Sequence, residues 1–350
     1  MTTSLAAAPN LEQIKKQAKD LLKTLRAAEA SGLERLRAKH PEFSSASPEA
    51  AARAKLADAQ LVVAREYGFT TWAKLKARVA DVSAELEVLR IAAIEAVNPV
   101  GWADMESEPD FPARRARLED LLRLHPMLPR MKVDSHGFTL LHRAAWGHNP
   151  QLADMLIAAG ADIDARANDL STPLTMALSA GNGQGSLARM LAERTQVPLT
   201  LRMAAGLGLD DRVIQYIDRG ILNPGAVDGQ ASYYDHPKRE WDLIRDRDEI
   251  LAEALTYAAR NDQLSTVALL LDLGAPVDGE PYYGTALHWA AFFGKQNAVE
   301  LLVQRGADVE KKDCRIGATA AGWATVFSSK EKLQALTERL YPPQGAKITE

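Results

Sequence analysis

The feature that most constrains this chain is a stretch of two short apolar helix patterns that cannot be buried without neighbours. It begins at Gly284-Thr-Ala-Leu-His-Trp-Ala-Ala-Phe-Phe-Gly and ends at Val309. Small and apolar residues share one side of each predicted helix, at Leu287, Ala290 and Ala291 in the first and at Ala298, Leu301 and Leu302 in the second. Gly306 follows the second helix, where a left-handed C-cap favours a residue without a Cβ atom. Because neither helix can bury its apolar side alone, the pattern predicts further copies of the pair.

Further copies are present along the chain. They begin at Thr139-Leu-Leu-His, Thr172-Pro-Leu-Thr, Leu199-Thr-Leu-Arg, Leu255-Thr and Thr319. The position that His288 occupies recurs at residues 142, 175, 202, 256 and 322, so successive spacings are 33, 27, 54, 32 and 34 residues. One period therefore dominates, and the 54-residue interval marks an insertion.

This recurrence resembles the ankyrin repeat, a unit of about 33 residues with a Thr-Pro-Leu-His-x-Ala signature. The likeness is strong over residues 137–164 and 284–310, degenerate between them, and extends over residues 130–340. The resemblance implies an all-α solenoid in which hairpin tips and first helices line a concave face. It also implies recognition of a protein partner, because ankyrin folds most often bind proteins.

A small helical module is predicted ahead of the array, in residues 1–82. Its segments begin after the capping residues Asn10, Ser31 and Ser47, and at Thr70 or Thr71. The third is predicted to run unbroken from Glu49 to Tyr67. The sequence Tyr67-Gly-Phe-Thr-Thr-Trp72 is similar to a helical module found ahead of bacterial ankyrin arrays, which implies a family and no chemistry.

Two further segments complete the predicted domain organisation. Residues 83–129 contain predicted helices at 84–96 and 113–124 and are interpreted as a helical cap or degenerate repeat. The array itself is predicted to occupy residues 130–343.

Length and composition limit the domain organisation and the cellular compartment that can be expected for the chain. With 350 residues, it is long enough for two or more domains or one extended array. One cysteine, Cys314, permits no internal disulfide and predicts a reducing, cytoplasmic location. Met1–Asn10 lacks the features of a secretory signal, and no apolar run approaches the ~20 residues of a membrane span.

Charge is distributed unevenly along the chain. Residues 1–80 carry a net charge of +6, which leaves −10 for the remainder. The N-terminal part could meet an acidic partner, but the preferred interpretation is a solvated helical surface. A nucleic-acid partner is not expected.

The insertion, at residues 221–250, is polar and aromatic rather than linker-like. Its notable residues are Tyr233, Tyr234, Asp235, His236 and Trp241. Long insertions in compact arrays tend to be functional or disordered, and this aromatic content argues against disorder.

No motif for catalysis or metal binding is visible. The resemblance assigns His142 and His288 to structural hydrogen bonds between loops. Helices pack ~8–10 Å apart, so these two histidines lie roughly 30–40 Å apart and cannot share a site. Phosphate-binding glycine loops, dinucleotide fingerprints and nucleophile elbows are absent from the sequence. Neither a metal nor a cofactor is expected.

An aromatic surface is predicted on the concave face, near the C-terminal end of the array. The positions after each Ala-Ala pair face the groove in this family. The predicted binding surface combines these positions with a hairpin tip and the insertion, namely Trp146, Arg260, Phe292, Phe293 and Phe327, then Tyr282 and Tyr283, then Tyr233, Tyr234 and Trp241. The alternative is that the insertion or the C-terminal segment folds over the groove and covers it.

Two classes of function follow. The first is a binding module that recognises a protein partner through the concave face. The second is an enzyme or small-molecule binder with a pocket between the groove and the insertion, in which Asp235 and His236 are the acid/base candidates.

Overall fold

The structure is a computed structural model that describes residues 5–6, 9–97, 110–181, 183–218, 221–222, 246–325 and 339–340. The chain packs into two compact units, residues 1–92 and 93–350. Among the described helices, none is long and apolar enough to cross a membrane.

The N-terminal unit is built from short amphipathic helices. Their bounds are α1 Leu11–Arg26, α2 Ala30–Lys39, α3 Pro48–Ala51 and α4 Leu56–Glu66, followed by the start of α5 Trp72–Val97. Asn10 caps α1 by accepting hydrogen bonds from the backbone N–H groups of Glu12 and Gln13. The apolar side of α1 is buried, at Ile14, Ala18, Leu21 and Leu25. These residues share a core with side chains of α2, α4 and α5.

Two predicted helix boundaries in this region are wrong. The helix expected from Glu49 to Tyr67 is broken into α3 and α4, because the Asp58 carboxylate accepts a 2.7 Å hydrogen bond from the Lys55 N–H and starts a new helix there. Residues 84–96 are not a separate helix. They continue α5, since residues 80–84 contain neither glycine nor proline to end it. The predicted domain boundary at residue 82 lies inside this helix.

The second unit is a series of helix pairs preceded by α6 Phe111–Leu124. Repeats 1 to 5 each contain a first and a second helix, and α17 begins repeat 6. The pairs are α7 Leu140–Trp146 and α8 Pro150–Ala158, α9 Pro173–Ser179 and α10 Ser186–Arg194, α11 Leu201–Leu207 and α12 Asp210–Tyr216, α13 Arg247–Arg260 and α14 Leu264–Asp272, and α15 Ala286–Phe292 and α16 Gln296–Gln304, followed by α17 Ala320–Ala324.

The first helices stack in chain order, each on the next, from α7 to α17. Their Ala-Ala pairs are buried where they meet, at Ala144 and Ala145, Ala204 and Ala205, Ala258 and Ala259, and Ala290 and Ala291. The small side chains let successive helices approach closely. The predicted all-α array is therefore confirmed. The described exception is a two-residue antiparallel pair of strands, β1 Ile217–Asp218 with β2 Ile221–Leu222.

Candidate functional site

The two predicted structural histidines hold neighbouring repeats together. Nδ1 of His142 accepts a hydrogen bond from the Thr139 N–H at 3.1 Å, so we assign the ring proton to Nε2, which donates to the Ser171 carbonyl at 3.0 Å. His288 makes the equivalent bonds to Thr285 at 3.3 Å and to Ala318 at 3.2 Å. Burial lowers the pKa of both histidines, against the opposing effect of the bonds to these carbonyls. Both rings are therefore neutral structural groups near pH 7.

The residue four positions after the one equivalent to His288 changes size from repeat to repeat. Repeat 1 carries Trp146, repeats 2 and 3 carry Ser179 and Gly206, and repeats 4 and 5 carry Arg260 and Phe292. This position therefore holds a small residue in the middle of the array and a large residue toward its C-terminal end.

Repeats 2 and 4, which are not adjacent in the chain, are in direct contact. The Tyr257 hydroxyl of α13 lies 2.9 Å from the Ser179 Oγ of α9. Asn261, which follows α13, donates from Nδ2 to the Leu178 carbonyl of α9 at 3.0 Å. Because α11 separates α9 from α13 in the stack, these bonds require a tight curl of the array at this point.

Gly181 extends the same contact to repeat 5. Its φ of +77° is in the left-handed region. A Cβ atom added there would lie 2.9 Å from the Arg260 carbonyl oxygen and 3.0 Å from a ring carbon of Phe293. Only glycine fits this position without displacing either neighbour.

A polar cluster is enclosed between repeats 3, 4 and 5. Arg202 Nη1 lies 2.9 Å from Glu253 Oε1, and the Tyr282 hydroxyl donates to the same carboxylate oxygen. Burial, and then the negative charge of Glu253, raise the pKa of Tyr282 well above its ordinary value. The Arg260 guanidinium lies 3.8 Å from the centre of the Trp289 ring, a cation–π contact.

Arg202 and Glu253 were not predicted as members of this cluster, nor was Tyr257, whose ring centre lies 5.7 Å from the Arg202 guanidinium and 5.3 Å from that of Arg260. A usable signal existed in α13, where Glu253, Thr256, Tyr257 and Arg260 follow i, i+3, i+4, i+7 spacing and so share one face. All four are buried. Polar residues on a helix face that packs inward mark a site rather than a solvated surface.

The predicted binding surface divides into exposed and buried parts. Trp146, Phe292 and Phe293 are half-buried and reach solvent. The expected exposure is wrong for Arg260, Tyr282 and Tyr283, which are 0%, 1% and 8% exposed. The tight curl encloses Arg260 against Trp289, and the bond to Glu253 draws Tyr282 inward. Their part in binding stays a prediction. The remaining predicted site residues lie outside the described ranges, namely Phe327, Tyr233, Tyr234, Trp241, Asp235 and His236.

An aromatic stack supports the exposed part. The Phe292 ring lies 4.9 Å from Phe293, 5.7 Å from Trp289 and 5.8 Å from Trp323, measured between ring centres. Trp289 and Trp323 are buried beneath it. Trp323 Nε1 donates to Asp313 at 3.1 Å, which fixes its ring. We call the two partly exposed rings, Phe292 and Phe293, the phenylalanine ridge.

The described ranges contain no group of three or more His, Cys, Asp or Glu side chains arranged to hold a metal ion.

Comparisons with known proteins place repeats in the same regions. A family model described as ankyrin repeats (3 copies) matches residues 240–313, and one described as ankyrin repeat matches residues 136–168. The ankyrin repeat domain-containing protein SAT10 of the fungus Stachybotrys chartarum is 25% identical over 258 residues, which are 67% of this chain and 13% of that protein. The B-cell lymphoma 3 protein homolog of Mus musculus is 27% identical over 185 residues, 53% of this chain and 32% of that protein.

Solved structures similar to this chain include the human ASB11 ankyrin repeat domain, at 20% identity and a TM-score of 0.32, covering 73% of this chain and 98% of that one. The ankyrin repeat domain of Bcl-3 is 23% identical, with a TM-score of 0.28, and the match covers 71% of this chain and 97% of that one. From the family models, this chain contains ankyrin repeats, at residues 136–168 and 240–313.

Proposed function

We propose that the array recognises a protein partner, and that the phenylalanine ridge on its concave side is the principal contact. Ankyrin repeats generally mediate interactions between proteins, which supports the class of function. The partial exposure of two adjacent aromatic rings that pack on a buried tryptophan supports the location.

The rings of the phenylalanine ridge are preorganised for binding. Aromatic side chains that are held rigidly lose little conformational entropy when a partner covers them. Such residues dominate the binding energy of protein interfaces. The rings of Phe292 and Phe293 are held by Trp289, whose ring centre lies 5.7 Å and 6.2 Å from theirs. Trp146, at the equivalent position of repeat 1, would extend the contact along the face.

Site-specific photocrosslinking tests this proposal. A photoreactive benzophenone side chain replaces Phe292, and the matched control places it at Ile214, which is 51% exposed on the second helix α12. The full chain is irradiated in extract from its native host. We expect a discrete protein adduct from position 292 that position 214 does not give and that Phe293→Ala reduces. Equal adducts from both positions would reject the ridge as a contact.

A second candidate function is binding or conversion of a small molecule in a pocket between the groove and the insertion. The observation that favours it is the buried Arg202–Glu253 pair with Tyr282. A buried ion pair contributes little net stability, and clusters of charged groups in enclosed sites are often functional.

A metabolite-binding screen separates the two candidates. Binding of a small molecule to the wild-type chain, lost in Tyr282→Phe, would favour the second. Once a substrate is known, His236→Ala tests the acid/base assignment, because full turnover by that variant would remove His236 from the reaction.

A further inference from the structure

A cavity of about 460 Å³ that is open to solvent lies beside repeat 1; its charged lining side chains are exposed, and neither residue of the phenylalanine ridge lines it. Its walls carry three basic side chains, Arg130, Lys132 and Arg166, and one acidic side chain, Asp162. The cationic excess is unusual for this part of the chain, because residues 81–350 carry a net charge of −10.

Two of the cations contact neutral groups. Arg130 Nε donates to the Gly160 carbonyl at 2.9 Å. Lys132 Nζ lies 3.5 Å from the side-chain oxygen of Asn168. Neither bond neutralises the positive charge, and a polar group that positions a cation without cancelling its charge leaves it able to bind an anion.

The ion pairs of the described residues do not neutralise the excess positive charge of the cavity. Within the ranges that the structure describes, Arg166 forms no ion pair with a carboxylate. The neighbouring Asp134 is paired with Arg143, and Asp164 accepts hydrogen bonds from Thr195 and from the Gln196 N–H. Asp162 is therefore the one lining acid that opposes the three cations.

We propose that this cavity binds a small molecule through a phosphate group. Guanidinium groups present forked donors that match phosphate oxygens, and a lysine adds a point charge beside them. The volume falls within the about 300–1,000 Å³ of pockets that hold small molecules. A free carboxylate would meet the same cations with half the charge, so phosphate is the better match.

Isothermal titration calorimetry with pyrophosphate, on the full chain at low salt, tests the site. We expect measurable binding to the wild-type chain. Arg166→Ala should weaken it by about tenfold or more, because a charge-assisted hydrogen bond is lost. Asp162→Asn should strengthen it, since the opposing charge is removed. Arg166→Lys should retain part of the affinity.

The matched control is Arg194→Ala, which removes an exposed arginine from α10 of the same array and should leave the affinity unchanged. Equal weakening by Arg194→Ala and Arg166→Ala would show general charge attraction and reject the site. Absence of heat with millimolar pyrophosphate would reject it as well. Lys132→Ala gives an independent variant if Arg166→Ala fails to fold. The photoadduct from position 292 should not change with pyrophosphate, so this inference and the proposed function can fail separately.

Discussion

The Tyr257 hydroxyl lies 2.9 Å from the Ser179 Oγ, although α13 and α9 are separated by α11 in the stack of first helices. Both side chains are almost fully buried, at 3% and 2% exposed. The bond therefore joins two repeats that do not follow one another.

A double-mutant cycle on Ser179 and Tyr257 measures the coupling free energy of their hydrogen bond. Ser179→Ala and Tyr257→Phe should each reduce the free energy of unfolding, and the double variant should lose less than their sum. We expect a coupling of about 0.5–1.5 kcal/mol, the net contribution of a typical hydrogen bond. Urea denaturation gives the values. Pairing Tyr257→Phe with Ser186→Ala, which removes an exposed hydroxyl from α10, should give additive effects.

Gly181→Ala should reduce the free energy of unfolding by about 2 kcal/mol or more, because a left-handed residue gains a Cβ atom and that atom collides with the Arg260 carbonyl oxygen and the Phe293 ring. The matched control is Gly317→Ala. Gly317 has a similar φ of +70°, but no atom lies within 4 Å of the added Cβ. Gly317→Ala should therefore be destabilised only by the cost of placing alanine in a left-handed backbone conformation. If both variants are destabilised equally in thermal and urea unfolding, neither the Arg260 carbonyl nor Phe293 packs closely against Gly181.

Features of the fold that depend on residues close together in the sequence could be predicted, whereas contacts between distant residues could not. The helix pairs follow from periodicity within one repeat, and the bonding of His142 between loops follows from the resemblance to the ankyrin repeat; the structure contains both. The tight curl depends on small groups near Ser179 facing large groups near Tyr257, 78 residues later, and no local pattern relates them. The break before Leu56 was missed for another reason, since it depends on one capping bond from Asp58.

Leu170→Gly should stabilise the array. Leu170 has a φ of +67° at a hairpin tip and is 39% exposed, so its side chain contributes little packing while its backbone is strained. Relief of that strain, less the entropy that glycine adds to the unfolded chain, should give about 0.5–1 kcal/mol. Leu209→Gly is the control, because Leu209 is 38% exposed with an ordinary φ of −91°. Urea midpoints that fall in both variants would contradict the argument.

Stability should decrease as the pH falls below about 6.5, the ordinary histidine pKa. Burial holds the folded-state pKa of His142 and His288 below that value. Between the folded and unfolded pKa values, the unfolded chain binds more protons, so protonation favours unfolding. Urea midpoints between pH 7.5 and about 5.5 measure the slope.

Replacing both histidines by glutamine should lower stability at neutral pH and flatten this slope. A slope that is unchanged in the double variant would assign the pH dependence to other groups. Asp313 is distinguishable, because its pKa is lowered and its loss of stability occurs only as the pH falls through the acidic range.

The affinity of the photocaptured partner for Phe292→Ala, measured together with the free energy of unfolding of the same variant, shows whether the phenylalanine ridge binds a partner. Because Phe292 is half-buried, the account predicts a modest stability loss of about 2 kcal/mol or less. It predicts a dissociation constant raised about fivefold or more, the effect of losing an interface anchor worth about 1 kcal/mol. Wild-type affinity combined with a stability loss of about 3–5 kcal/mol would contradict the account and assign Phe292 to the core.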